Sequence, residues 1–271
     1  MAELLYTKSS IAIALSLILL MALALRIGFM VGMRSTAIKN CKQCKEHISS
    51  LLSSLLGMLA LILGFSFSIA LERHGSRSEA VIEEANAIGT AYLRTTLLPE
   101  AYRQEAQQLF AQYLDVRIKE SHFNLTQRAE RETLNQQANN LQMQLWNTVS
   151  QAAVHEPNTV TTGLPVQSIN AMIDAYGKRY AELNRHIPEL VLWLLFFAFI
   201  VSGGMLGYSA GISNHQPSKV VFVMLTVVVL VMYLVIDLDR PRRGLIHIDQ
   251  TPMQSLKTLV QTTPVSHIPT Q

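Results

Sequence analysis

LILGFSFSIALERHGSRSEAVIEEANAIGTAYLRTTLLP (residues 61–99) begins as hydrocarbon fit for a bilayer and continues, with no proline before Pro99, into a helix-forming run rich in acid and amide. Reading residues 57–90 as one helix separates two faces. One carries Gly57, Ala60, Gly64, Ser68, Gly75, Ser78, Ala85 and Gly89 at spacings built from threes and fours. Small side chains let backbones approach, which is the main source of cohesion where lipid gives no hydrophobic drive between helices, so this face is expected to pack tightly against protein. The other runs Met58, Ile62, Phe65, Ile69, Glu72, Ser76, Glu79, Glu83, Asn86 and Thr90, apolar in its first part and acidic or hydroxylic beyond it.

Two accounts of that second stripe stand side by side. In one, the helix lines a conduit in an oligomer, with Ile62, Phe65 and Ile69 as an apolar constriction of the kind that gates by dewetting, and Glu72, Glu79, Glu83, Asn86 and Thr90 as its polar continuation. In the other, the apolar residues face lipid or core and the acids face water, as in any amphipathic helix. Gly75 also permits a kink between the halves.

Composition sets the wider frame. Of 271 residues, 49% are hydrophobic and 15% charged, against about 25% charged in soluble domains, and mean hydropathy is +0.25. A spanning helix needs roughly 20 apolar residues. Residues 11–33 (interrupted by Arg26), 51–71, 187–212 (with Glu189 at its edge) and 220–236 meet or approach that length. The alternative for the first is a secretory signal, because ALALR has a small-x-small end, yet its apolar run continues past Arg26. The fold class is therefore all-α. Its expected parts are a first transmembrane pair (1–71), a helical extramembrane insert (72–186), a second transmembrane pair (187–237) and a C-terminal tail (238–271).

The insert repeats apolar residues at helical steps: Tyr102, Ala106, Leu109, Tyr113, Val116; then Leu134, Ala138, Leu141, Leu145, Val149; then Val166, Ile169, Ile173, Tyr176, Tyr180, Leu183. Breaks are expected at Pro99, near residues 121–124 and across 155–165. Pro188 suits the first turn of the third span, and Gly203, Gly204, Gly207 and Gly211 in SGGMLGYSAG permit close bundle packing or a hinge.

The chemistry-bearing residues are few. Cys41 and Cys44 form one CxxC; without a second pair or HxxxH they do not complete a zinc site, which leaves a redox pair or incidental thiols. No metal, cofactor or catalytic constellation is expected, so the chain does not read as an enzyme. No basic and aromatic cluster points to nucleic acid. The expected partners are the lipid bilayer, further copies of the chain and, for a conduit, inorganic ions.

LGFSFSIALERHGSR and EEANAIGTAYLRTTLLP, with the tail segment DLDRPRRGLIHIDQTPM (residues 237–253), resemble the bestrophin-like family of bacterial membrane proteins. The resemblance implies a relation to bestrophins, pentameric anion channels whose four-span subunits line a narrow apolar neck with the second span. It would put Phe65 near that constriction. This chain departs from the animal proteins in following Arg73 with His74 and Gly75 instead of an aromatic pair. It also lacks their dense acidic run after the fourth span, so calcium gating is not implied. Glu72, Glu79 and Glu83 in a conduit would favour cations. Asp237, Asp239, Arg240, Arg242 and Arg243 read either as an interfacial anchor or as an ion-pair network with Glu72, Glu83 or Glu84.

The expected location is the inner (plasma) membrane. Four spans put both termini and the insert on one side. That side carries Lys8, Arg73, Arg77, Lys178, Arg179, Arg185, Arg240, Arg242 and Arg243 near span ends, against Arg34, Lys39, Lys42, Lys45 and Lys219 opposite. This majority and the bestrophin relation place termini and insert in the cytoplasm.

Overall fold

The computed structural model describes residues 10–35, 38, 41–123, 127–215, 218–240 and 246–262, and those residues are mostly helical with no strand among them. The helices are α1 (Ser10–Arg34), α2 (Lys42–Arg94), α3 (Glu100–His122), α4 (Arg128–His155), α5 (Leu164–Asn184), α6 (Glu189–Ile212), α7 (Lys219–Leu238) and α8 (Thr251–Thr262). A short 3₁₀ turn (Thr95–Leu97) lies between α2 and α3, and a π turn (Thr159–Gly163) between α4 and α5. Four helices are long and apolar enough to cross a membrane: α1, the first part of α2, α6 and α7. Helix is the form expected there, because each backbone N–H and C=O finds its partner within the segment. α2 continues unbroken through Gly75.

The chain divides into two compact units, Met1–Arg73 with His186–Arg240, and His74–Arg185 with Pro241–Gln271. In the first, α1 and α6 pack backbone against backbone. A Cβ on Gly207 would collide with the Leu25 carbonyl, one on Gly211 with Phe29 O, and one on Gly28 with Gly204 O. The glycines of SGGMLGYSAG thus serve close packing, answered from α1 by Gly28 and Gly32. Ser66 and Ser202, both buried, return their hydroxyls to the carbonyls of Ile62 and Ala198 four residues back, a local solution to hydrogen bonding in a dry setting.

The second unit is a helical cluster. Val81, Ile88 and Tyr92 of α2 join Ala106, Phe110, Tyr113 and Leu114 of α3, Ala138, Leu145 and Val149 of α4, and Ile169 and Met172 of α5 in one core. The α4 stripe matches its sequence pattern, whereas the α3 core face is turned toward Phe110 and Leu114, leaving Leu109 and Val116 at its margin. Tyr180 of the expected α5 stripe is 43% exposed. The break before α5 is stabilised by Asn158, whose Oδ1 accepts the Val160 and Thr161 N–H groups at 2.8 and 3.2 Å, an N-capping role. Ile248, Met253 and Leu256 bring residues 246–262 into the same core.

Gly207→Val should lower the melting temperature of the detergent-purified protein, since overpacking against backbone costs about 1–3 kcal/mol. Gly177→Ala, where an added Cβ meets nothing within 4 Å, should leave it unchanged or raise it, because alanine is the better helix former by about 1 kcal/mol.

Candidate functional site

Two features of α2 carry the functional argument: its exposed stripe and its buried charge. Phe65 is 63% exposed and Ile69 37% in the single chain, with Ile62, one turn before Phe65, half-buried. Glu72, Glu79, Asn86 and Thr90 are exposed as well. Glu83 is half-buried and takes an ion pair from Lys178 of α5 at 2.6 Å. The small-residue face behaves differently from expectation. Gly57, Gly64 and Gly75 have nothing among the described residues within 4 Å of an added Cβ, so this part of the face is open in the single chain, whereas Ala85 is buried and Gly89 faces Leu256. The helix buries Leu52, Leu59, Leu63, Ser66 and Ala70 instead.

Beyond the membrane-grade part, α2 carries Glu84, fully buried. Its carboxylate accepts Arg117 Nε at 2.6 Å and Nη2 at 3.1 Å, and Arg179 Nη1 at 2.5 Å. Arg117 also donates to Glu120, and its guanidinium lies 4.6 Å from the centre of the Tyr176 ring. Arg179 donates to Gln250 Oε1 at 2.9 Å. Burial alone would raise the Glu84 carboxyl, but the charges and hydrogen bonds of Arg117 and Arg179 outweigh it and hold the group below the usual carboxylate range. Arg117 is pushed up from its ordinary value, the two glutamates overcoming its own desolvation. Arg77, also buried, donates to the Glu182 carbonyl at 3.1 Å and to Arg185 O, closing the C-terminal end of α5.

These arginines were not singled out from sequence, yet a signal existed. Arg179 continues the series Ile169, Met172, Tyr176 at steps of three and four, and Arg117 follows Phe110 and Tyr113 in the same way. A charge on a core-facing position is expected only with a buried partner.

In the first unit, Asp237, Asp239 and Arg240 are buried. Both oxygens of Asp239 accept the Ile187 N–H, at 3.1 and 3.2 Å, and its carbonyl meets His186 Nδ1 at 3.2 Å. Asp239 thereby ties the end of the fourth span to the start of the third. Arg242 and Arg243 lie outside the described residues. Glu84, one of the partners considered for this segment, is occupied by Arg117 and Arg179. Cys41 and Cys44 are joined as a disulfide, so they are not two separate thiols. Among the described residues no group of three or more His, Cys, Asp or Glu could hold a metal ion.

The architecture is that of a four-span helical membrane protein whose extramembrane unit is held by a buried charge cluster. A family model, the Bestrophin-like domain, matches residues 18–253, and the chain belongs to the bestrophin-like family. Among solved structures it is similar to a mutant of a bacterial bestrophin homologue from Klebsiella pneumoniae, with a TM-score of 0.62 at 15% identity, covering 91% of this chain and 97% of that one. A second mutant of the Klebsiella pneumoniae homologue gives 0.61 at 15%, with the same coverage of 91% and 97%. A mutant recorded as a membrane protein gives 0.62 at 14%, over 93% of this chain and 99% of that one. At such identities the likeness establishes the fold. No curated protein matches the sequence.

Glu84→Gln should destabilise the protein by about 3–5 kcal/mol at neutral pH, since it leaves Arg117 and Arg179 buried without their carboxylate. Because the folded-state carboxyl lies below its ordinary 4.5, the wild-type contribution is fully present above that pH and is lost as pH falls through the folded value. Thermal melts of the two proteins should therefore converge as the pH is taken below about 4.5.

Proposed function

We propose that this chain is the subunit of a homo-oligomeric ion channel of the inner membrane, with α2 of each copy facing a shared axis. The observation that carries the reading is the exposure of Phe65 and Ile69 on a helix whose neighbouring face, Gly57, Gly64 and Gly75, stands open in the single chain. Small residues three and four apart, here Gly57, Ala60, Gly64 and Ser68, admit a second helix at close range, and an apolar ring beside it is what a dewetting constriction needs. Membership of the bestrophin-like family supports an anion as the conducted species and five subunits as the assembly.

In this reading Ile62, Phe65 and Ile69 form the constriction, and Glu72, Glu79, Glu83, Asn86 and Thr90 line the wider part. The acids there work against anions, and the Lys178 ion pair offsets one of them, Glu83. No catalytic step is assigned. The insert and both termini face the cytoplasm. The Cys41–Cys44 disulfide supports that orientation, because disulfides persist on the oxidising side of the membrane, where the first loop would then lie.

A non-conducting scaffold or sensor is the second reading. It is favoured by a shallow, amide-rich groove of about 430 Å³ between α3 and α4, lined by Gln112, Asp115, Lys119, Gln137, Asn140 and Gln144.

The test is halide efflux from liposomes holding the purified protein. The channel reading expects efflux above empty liposomes, a severalfold faster rate for Phe65→Ala, and greater anion preference for Glu72→Gln with Glu79→Gln. Liposomes as tight as empty ones with both wild type and Phe65→Ala would favour the scaffold.

A further inference from the structure

Cys41 and Cys44 are the only cysteines in the chain. Cys41 stands at the N-cap of α2: its carbonyl accepts the Lys45 N–H at 3.3 Å, the first bond of the helix, and its sulfur accepts the Cys44 N–H at 3.2 Å. That is the contact a serine or aspartate makes when capping, from the N-cap side chain to the third helical N–H. A disulfide sulfur is a poor acceptor. A thiolate is a charged one, favoured both by the amide and by the positive end of the helix. The charged side chains of the adjoining turn are Lys42, Lys45 and Glu46, with Lys42 and Glu46 facing each other at 4.0 Å. Both cysteines are half-buried, not enclosed.

The bond adds little as a staple, because it closes a ring across a separation of three residues, and a disulfide constrains the unfolded chain least when its loop is shortest. The pair is thus better suited to exchange than to fixing the fold.

We propose that Cys41 and Cys44 are a redox-active pair that exchanges its disulfide with a dithiol, either a protein oxidoreductase or a small dithiol. An incoming thiolate attacks the Cys44 sulfur, and the electron pair of the broken S–S bond leaves on Cys41. The second thiol of the donor then loses its proton and attacks the donor's own sulfur in the mixed disulfide, releasing Cys44 as a thiolate, which takes up a proton. The pair gains two electrons, and the donor departs as its disulfide. Cys41 remains as the thiolate that caps α2, which favours the reduced form and makes this disulfide an oxidising one. This inference does not rest on the channel reading, since it concerns the start of α2 and not its stripe.

The experiment uses the full-length protein in detergent, with thiols counted by maleimide mass-tagging. Dithiothreitol without denaturant should open the pair, and oxidised glutathione should close it again. In the single-cysteine variants, Cys41 (in Cys44→Ser) should be alkylated by iodoacetamide at pH 7 at least about tenfold faster than Cys44 (in Cys41→Ser), as a thiolate-favouring site requires. A disulfide that opens only after denaturation, reduced thiols that do not close again, or equal alkylation of the two variants would each overturn the proposal.

Discussion

The carboxylate of Glu84, shared between Arg117 and Arg179, is the interaction on which the extramembrane unit depends. It joins α2, α3 and α5 at one point, and through Gln250 it reaches the segment that leads to α8. A buried ion pair is weak evidence of stability, because desolvation offsets much of the Coulomb gain. Its effect is on arrangement. Two buried guanidiniums tolerate few alternatives to this carboxylate, so α3 and α5 are held to α2 in a single register. The apolar residues around them, from Ile88 to Met172, supply the driving force that the charges do not.

The membrane unit is organised by a different constraint. Lipid offers no hydrophobic drive between helices, so cohesion comes from how closely backbones approach. The α1 and α6 glycines meet that need inside one subunit. On α2, Gly57, Gly64 and Gly75 meet nothing within 4 Å among the described residues, while Gly89, further along, faces Leu256. That contrast between a satisfied glycine seam and an open one supports assembly of several copies better than any single residue does. Asp239 adds a polar tie of another kind, its two oxygens on one backbone N–H where the third span begins.

Much of this was legible in the sequence, for identifiable reasons. The four spans follow from hydropathy and length, and the α4 stripe from its period, since Ala138, Leu141, Leu145 and Val149 are all buried. Other features rest on pairings between distant residues and left little local trace. Glu83 and Glu84 find their partners at Lys178 and Arg179, a sequence separation of 95. The α2 small-residue face is expected from its period to pack against protein, yet Gly57, Gly64 and Gly75 stand open in the single chain; periodicity does not say whether a neighbour is the same chain or another. Met253 and Leu256 of α8 pack on the insert's core, which the charges near the fourth span do not foretell. For the stripe, the exposure of Phe65, Ile69, Glu72 and Glu79 follows the period of the sequence. The period does not say what faces them.

The central claim is that copies of this chain share an axis lined by α2. It is tested most directly by the mass of the detergent-purified protein, measured by light scattering corrected for bound detergent. The account predicts a single closed oligomer, five copies if the family's assembly holds. A monodisperse monomer would contradict it, because without a shared axis the open face of α2 and the ring at Phe65 have no conduit to form.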